Sequence, residues 1–154
     1  MFGLMRVRNF ESQLWLQQPR EKVFAFFSNP QNLDLITPPW LRFRTVTSRP
    51  IEMHPGMFID YKLRIHGFAM RWRSKITAWD PPARFVDEQV RGPYRSWIHE
   101  HIFVERDGGT LVIDRVQYAV PFDWLVYPLL VRRDVERIFR FRRDMLLQRF
   151  GIAV

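Results

Sequence analysis

The sequence predicts an α+β fold in which a strongly curved antiparallel sheet wraps around one long C-terminal helix. Two observations carry this prediction. Apolar and polar residues alternate with a period of two over much of residues 42–120, which indicates a series of strands. Over residues 121–150 the apolar residues recur at helical intervals of three, four or seven. With 154 residues, 47% of them apolar, the chain suits a single domain covering residues 1–154.

One strand and two short helices are predicted to open the chain. Residues 6–16 form the strand, with its apolar residues on one face. A helix begins at Pro19, since proline is favoured in the first turn of a helix. A second helical turn begins at Asn29 or Gln31 and ends at Ile36, before a Thr-Pro-Pro sequence.

Six further strands complete a predicted seven-stranded sheet. We expect them at residues 42–48, 57–65, 68–76, 84–90, 95–105 and 110–120. His66 and Gly67 are typical of a two-residue hairpin turn, which places Tyr61 opposite Trp72 and gives both strands one apolar face. Three basic residues of the strand at residues 68–76 then face solvent, namely Arg71, Arg73 and Lys75.

The long helix follows the last strand. Its predicted apolar stripe consists of Leu125, Leu129, Val131, Val135, Ile138, Phe139, Met145, Leu146 and Phe150. Pro128 is expected to distort or delay the first turns, because proline lacks the amide hydrogen that a helix needs. Some of the arginines at positions 132, 133, 137, 140, 142 and 143 must form the solvent-facing side of this helix, with Asp134, Glu136 and Asp144 as partners three or four residues away.

The composition excludes several classes of protein. The absence of cysteine excludes disulfides and thiolate metal sites. The longest apolar run, residues 124–131, is far below the roughly 20 residues of a membrane span, and residues 1–8 lack a signal peptide's apolar segment, so we expect a cytoplasmic protein. The net charge of +8 comes without a basic block, and we therefore expect no nucleic-acid partner.

Three segments of the chain resemble a known superfamily. They are residues 19–27 (PREKVFAFF), 32–39 (NLDLITPP) and 92–103 (GPYRSWIHEHIF). These segments, with the order of elements, are similar to the START-like or SRPBCC helix-grip superfamily, related to the birch-pollen-allergen fold, and to its bacterial cyclase/dehydrase-like subgroup. The resemblance covers nearly the whole chain. It implies a cavity for a hydrophobic ligand between the sheet and the C-terminal helix.

A group of polar residues interrupts one otherwise apolar face. His99 and His101 are two residues apart on a predicted strand, so both point to the same face. The turn at residues 107–109 decides which residues of the next strand join them. A three-residue turn would place the like charges of Glu100 and Asp114 side by side, so we adopt a two-residue turn. The inner face then holds Trp97, His99, His101, Phe103, Asp114 and Tyr118.

Three interpretations of these polar residues stay open. They could orient a ligand carbonyl or hydroxyl, they could be buried structural partners of one another, or they could perform chemistry. Acid–base catalysis would use His99 and His101 with Asp114. Zinc would need a third ligand beside the two histidines, for which Asp114 is the only obvious candidate. We expect neither a metal nor a cofactor.

The expected function is the binding or transport of a small hydrophobic ligand. One alternative is a polyketide cyclase/dehydratase-like enzyme with His99, His101 and Asp114 as acid–base groups, and another is a lipid or quinone shuttle with weak contact to a membrane surface. The candidate ligand-binding residues are Tyr61, Trp72, Gln89, Trp97, His99, His101, Phe103, Asp114 and Tyr118. His54 and His66 fall in predicted loops or turns and receive no role.

Overall fold

A computed structural model describes residues 5–48 and 51–151 of the chain. The strands are β1 (Arg8–Leu16), β2 (Arg44–Thr45), β3 (Phe58–Ile65), β4 (Phe68–Asp80), β5 (Arg84–Arg91), β6 (Ser96–Arg106) and β7 (Gly109–Ala119). The helices are α1 (Arg20–Phe27), α2 (Asp123–Val126) and α3 (Arg132–Phe150). Two 3₁₀ turns, Pro30–Ile36 and Pro39–Leu41, follow α1, and a π-helical turn, Tyr127–Val131, joins α2 to α3. The predicted order of elements is confirmed.

The strands form one antiparallel sheet in the order β1-β7-β6-β5-β4-β3-β2. The turn between β3 and β4 has positive φ at both His66 and Gly67, 49° and 83°, as a type I′ turn requires. Tyr61 lies opposite Trp72, so the predicted register is confirmed. Arg71 and Arg73 are exposed on the outer face of β4.

The turn between β6 and β7 also has two residues. Asp107 and Gly108 have φ values of 50° and 75°, and Arg106 pairs with Gly109. His101 therefore lies opposite Asp114 on the inner face, where both are buried. This confirms the two-residue turn, since a slip of one residue would reverse the faces of the whole strand.

Strand β2 is much shorter than predicted. We expected a strand over residues 42–48, but only Arg44–Thr45 pairs with β3. Arg42 has a left-handed backbone, with φ of 45°, and ends the second 3₁₀ turn instead of entering the sheet. The strand therefore begins at Arg44 and not at residue 42.

The prediction of the helical stripe is right for α3 and for Val131, and wrong for Leu125 and Leu129. Val135, Phe139 and Leu146 are buried against the sheet. Leu125 and Leu129 are instead exposed, because the π-helical turn changes the angular position of the residues that precede α3. No helix in the described residues is long and apolar enough to span a membrane.

The solid part of the core lies where α1 packs into the concave face of the sheet. Val23, Phe24 and Phe26 of α1 are buried there, together with Leu146 and Phe150 of α3. Aromatic rings in this region meet edge to face, as Phe24 does with Phe103 at 5.3 Å between centroids. Since α1 is only eight residues long, the rest of the space between the sheet and α3 depends on other side chains.

Candidate ligand-binding cavity

A cavity of about 530 Å³ lies between the concave face of the sheet and α3. Strands β3 to β6 form one wall, α3 forms the opposite wall, and the 3₁₀ turns after α1 close one side. Most of the lining is aliphatic or aromatic. Representative apolar members are Leu33, Leu41, Ile59, Leu63, Ile76 and Ile138.

Five of the nine candidate ligand-binding residues line this cavity. They are Tyr61, Trp72, Trp97, His99 and His101. Trp72 donates from its indole nitrogen to the hydroxyl of Ser74 at 3.0 Å, which fixes its ring in the wall. Burial raises the pKa of Tyr61, so its hydroxyl stays neutral.

The other four candidates are not among the described residues that line the cavity. Gln89 instead donates to the carbonyl of Tyr94 and accepts from its amide, which ties down the β5–β6 connection. Phe103 lies in the solid core, and Tyr118 packs with Val116 and Val120. Asp114 lies behind the histidines.

Asp114 is held by His99. His99 Nε2 donates to Asp114 Oδ1 at 2.7 Å, and both side chains are buried. Burial by itself would raise the pKa of Asp114. The hydrogen bond and the attraction of His99, Arg142 and His101 outweigh that effect and lower the pKa to about 2. Asp114 is therefore an ionised carboxylate behind the wall of the cavity.

His101 has a different carboxylate partner, Asp87 of β5. His101 Nε2 donates to Asp87 Oδ2 at 2.6 Å, and its ring stacks on Phe85 at 4.2 Å between centroids. Burial and the neighbouring His99 lower the pKa of His101. Burial disfavours the Asp87 anion, yet the hydrogen bond from His101 and nearby positive charge lower the pKa of Asp87. The pair is thus a neutral imidazole with an ionised carboxylate.

Both hydrogen bonds run diagonally across the sheet. In the strand register His99 lies opposite Asp87 and His101 lies opposite Asp114, but each histidine bonds to the other aspartate. The two imidazole rings stack with centroids 3.7 Å apart. Diagonal neighbours are within reach of long side chains, and the stacked arrangement gives each imidazole its own carboxylate.

Arg142 of α3 also belongs to this group, although its sequence position gave it no site role. Together the five residues form the polar end of the cavity: Asp87, His99, His101, Asp114 and Arg142. The residue is only 8% exposed and lines the cavity. Its Nη1 lies 3.9 Å from Asp114 Oδ1, an ion pair too long to be a hydrogen bond. Nε and Nη1 are both buried without a hydrogen-bond partner. Arg142 is therefore not one of the arginines on the solvent-facing side of α3.

Asp87, His99 and His101 each offer one ligand atom within 4.8 Å of the others, a set that could hold a metal ion. In the arrangement described, Nε2 of each histidine is already bonded to a carboxylate. The guanidinium of Arg142 adds a fixed positive charge beside the group. Because both Nε2 atoms are engaged with carboxylates, hydrogen bonding to a ligand fits these residues better than metal ligation.

The cavity reaches the surface beside the β3–β4 turn. His66 of this turn bonds through Nε2 to Asp134 Oδ2 of α3 at 2.8 Å, and both residues border the cavity. Two other residues that line the cavity also contact each other: the guanidinium carbon of Arg137 lies over the ring of Trp40, 4.7 Å from its centroid. The sheet and α3 are thus linked across the opening by a residue, His66, that had been assigned no role.

A curved sheet gripping a C-terminal helix around an apolar cavity defines a helix-grip fold. The family model described as polyketide cyclase / dehydrase and lipid transport matches residues 16–146 of the sequence. The chain belongs to this family, and with it to the START-like helix-grip superfamily. Curated protein sequences include no match to this chain.

Solved structures with the same fold include proteins of bacteria and plants. Protein CV1439 from Chromobacterium violaceum superposes with a TM-score of 0.74 at 13% identity, over 95% of this chain and 99% of that one. A point mutant of Thalictrum norcoclaurine synthase with a transition-state analogue gives 0.66 at 12% identity, over 95% and 98%. Major latex-like protein 151 from Panax ginseng gives 0.66 at 14% identity, over 95% and 99%. At these identities the likeness is one of fold.

Proposed function

We propose that the protein binds a small apolar molecule in the cavity between the sheet and α3, and carries it in a largely dehydrated state. The observation that carries the proposal is the cavity itself, about 530 Å³ with a mostly apolar lining and one polar end. Its size lies within the roughly 300–1,000 Å³ of pockets that enclose drug-sized ligands. A family described by cyclase, dehydrase and lipid-transport functions agrees with such a ligand.

The lining suggests how such a molecule would lie. Trp72 and Trp97 contact each other edge to face at 5.5 Å between centroids and present flat apolar surface. His99, His101 and Arg142 gather the polar atoms at one place in the wall. A ligand with an apolar body and one polar group would match both parts of the cavity.

Binding can be tested with N-phenyl-1-naphthylamine, an uncharged dye whose fluorescence rises in apolar surroundings. We expect saturable binding to the folded protein, weakened several-fold by Trp72→Ala, since that substitution removes part of the wall. Trp124→Ala is the matched control, because Trp124 is 76% exposed and lies outside the cavity lining. Native mass spectrometry of the purified protein would identify any molecule that co-purifies. A folded protein that does not bind the dye would contradict the proposal.

Acid–base catalysis is the second candidate, favoured by the two histidine–carboxylate pairs next to the cavity. A neutral imidazole such as that of His101, oriented by Asp87, has the form of a general base. This candidate, a cyclase/dehydratase-like enzyme using His99, His101 and Asp114, can be tested with 2-acetylnaphthalene in D₂O. Exchange of the methyl protons next to its carbonyl, faster with the parent than with His101→Phe, would support it.

Delivery of the ligand at a membrane surface has one observation in its favour. Five large apolar residues before α3 are exposed, namely Phe122, Trp124, Leu125, Leu129 and Leu130. Arg132 and Arg133 follow directly and are also exposed, which suits anionic headgroups. Co-sedimentation with phosphatidylglycerol-containing vesicles, lost on Leu129→Asp, would support this surface. Equal sedimentation of parent and variant would contradict it.

A further inference from the structure

We infer that the ligand carries a neutral carbonyl oxygen, and that Arg142 receives this oxygen at the polar end of the cavity. The inference rests on the proposed function, since it names the chemical class of the molecule bound there. Among the described residues that line the cavity, Arg142 has the most buried side-chain nitrogen atoms without a hydrogen-bond partner.

The guanidinium of Arg142 has donors without acceptors. A guanidinium presents five N–H groups and accepts none, and it stays charged at any physiological pH. Here Nε and Nη1 are buried and make no hydrogen bond. Such unsatisfied donors are rare in folded proteins and call for a missing partner. The side chain is nine-tenths buried and borders the cavity, so a ligand atom is well placed to be that partner.

The two aspartates near Arg142 already accept hydrogen bonds from the histidines. Asp114 Oδ1 accepts from His99 at 2.7 Å and lies 3.9 Å from Arg142 Nη1, beyond hydrogen-bonding distance. Asp87 Oδ2 accepts from His101 at 2.6 Å. The aspartates thus supply negative charge that makes a buried arginine tolerable, while its N–H groups stay free for an acceptor from outside the protein.

The charge of this region favours an uncharged acceptor. Asp87 and Asp114 both have lowered pKa values and are ionised, and the lowered pKa of His101 leaves that imidazole neutral. A ligand with its own full negative charge would be attracted by Arg142, but it would enter a group of two carboxylates and one guanidinium that already carries net negative charge. A ketone or related carbonyl offers two lone pairs without a net charge, so it satisfies Arg142 without that repulsion.

The apolar part of such a ligand has a matching wall. The guanidinium carbon of Arg142 lies 5.0 Å from the ring centroid of Phe139. The ring of Phe139 also contacts the ring of His99, with 5.7 Å between the centroids. Trp97 continues the same surface at 6.3 Å from His99. An aromatic ketone is therefore the probe that resembles the inferred ligand most simply.

The test compares three compounds with one apolar body: 2-acetylnaphthalene, its hydrocarbon analogue 2-ethylnaphthalene, and 2-naphthoate. Each compound is titrated as a competitor of N-phenyl-1-naphthylamine on the parent protein, on Arg142→Met and on Arg140→Met. Arg140→Met is the matched control, because Arg140 is exposed on the same helix. The measured quantity is the ratio of the ketone's affinity to the hydrocarbon's. Comparing this ratio between proteins cancels the difference in hydrophobicity of the two compounds.

We expect the ratio to fall by about ten- to a hundred-fold in Arg142→Met, the range for a hydrogen bond to a charged group, and to change less than about two-fold in Arg140→Met. An unchanged ratio in a folded Arg142→Met that still binds the dye would overturn the inference and leave cavity binding intact. Naphthoate binding more tightly than the ketone in an Arg142-dependent way would overturn the neutral carbonyl. If neither the dye nor any compound binds, the proposed function itself fails.

A second measurement needs no variant, in case Arg142→Met does not fold. The carbonyl stretching band of 2-acetylnaphthalene bound to the parent should lie at lower frequency than in hexane, because hydrogen bonds from a guanidinium weaken the C=O bond. A bound ketone that absorbs at its hexane frequency would overturn the inference.

Discussion

Replacing Asp114 by asparagine removes one negative charge from the polar end of the cavity and nearly preserves the shape of the side chain. In the protein this carboxylate is buried, accepts a hydrogen bond from His99 and is an ion-pair partner of Arg142. The variant leaves both residues facing a neutral amide. We therefore expect Asp114→Asn to lower the free energy of unfolding, since a buried charge that loses its partner is destabilising.

The pKa of Asp114 sets the size of this effect. A pKa of about 2 in the folded protein, against an ordinary value of 3.8, stabilises the folded state by about 2 kcal/mol at neutral pH. Because the folded pKa is the lower one, the unfolded chain takes up the proton first as the pH falls. The contribution is complete well above pH 3.8 and is lost as the pH falls towards 2. The difference between parent and variant should shrink over the same interval.

Urea unfolding followed by tryptophan fluorescence measures this difference at neutral pH and at several lower values. Asp144→Asn is the control, because Asp144 is exposed on the same helix that carries Arg142. We expect the control to change the free energy of unfolding by less than about 0.5 kcal/mol. A loss in Asp114→Asn that stays constant as the pH falls, or one no larger than that of the control, would refute the electrostatic reasoning.

Three other predictions test separate parts of the structure. Leu146→Ala should lower the free energy of unfolding by about 2–5 kcal/mol in urea unfolding, whereas Leu129→Ala should change it by less than about 0.5 kcal/mol, since Leu146 is buried and Leu129 is exposed. His101→Phe should destabilise by about 1–3 kcal/mol at neutral pH in the same assay, because it removes the donor to the Asp87 carboxylate. His66→Ala should speed dye release in stopped-flow fluorescence by loosening the opening, with little change in stability; unchanged release rates would show that the contact does not control access.

The two hairpin turns explain why so much of the fold could be predicted. Both have two residues with positive φ, and such a turn fixes which residues oppose each other on the adjoining strands. Once the register is fixed, alternation assigns every side chain to a face, and His99, His101 and Asp114 follow from it. Strand β2 has no such turn before it. Its length depended on the left-handed residue Arg42, which the sequence pattern does not reveal.

The polar end of the cavity was harder to predict because it joins distant segments. Asp87 shares a strand face with Phe85, but the β5–β6 connection is longer than a two-residue turn, so alternation alone does not identify His101 as its partner. Arg142 lies on the buried stripe, three residues after Phe139 and four before Leu146. Its burial becomes tolerable only because the sheet places Asp114 opposite it, which helical periodicity alone does not show.

The polar residues join two clusters of core residues at the sheet–helix interface. On one side, His101 stacks on Phe85, whose ring belongs to the solid core that α1 fills. On the other side, His99 meets Phe139, whose cluster includes Trp97 at the cavity wall. The polar atoms of His99, His101 and Arg142 therefore lie in a wall that is apolar on either side, so a ligand that reaches them brings its apolar body against these clusters.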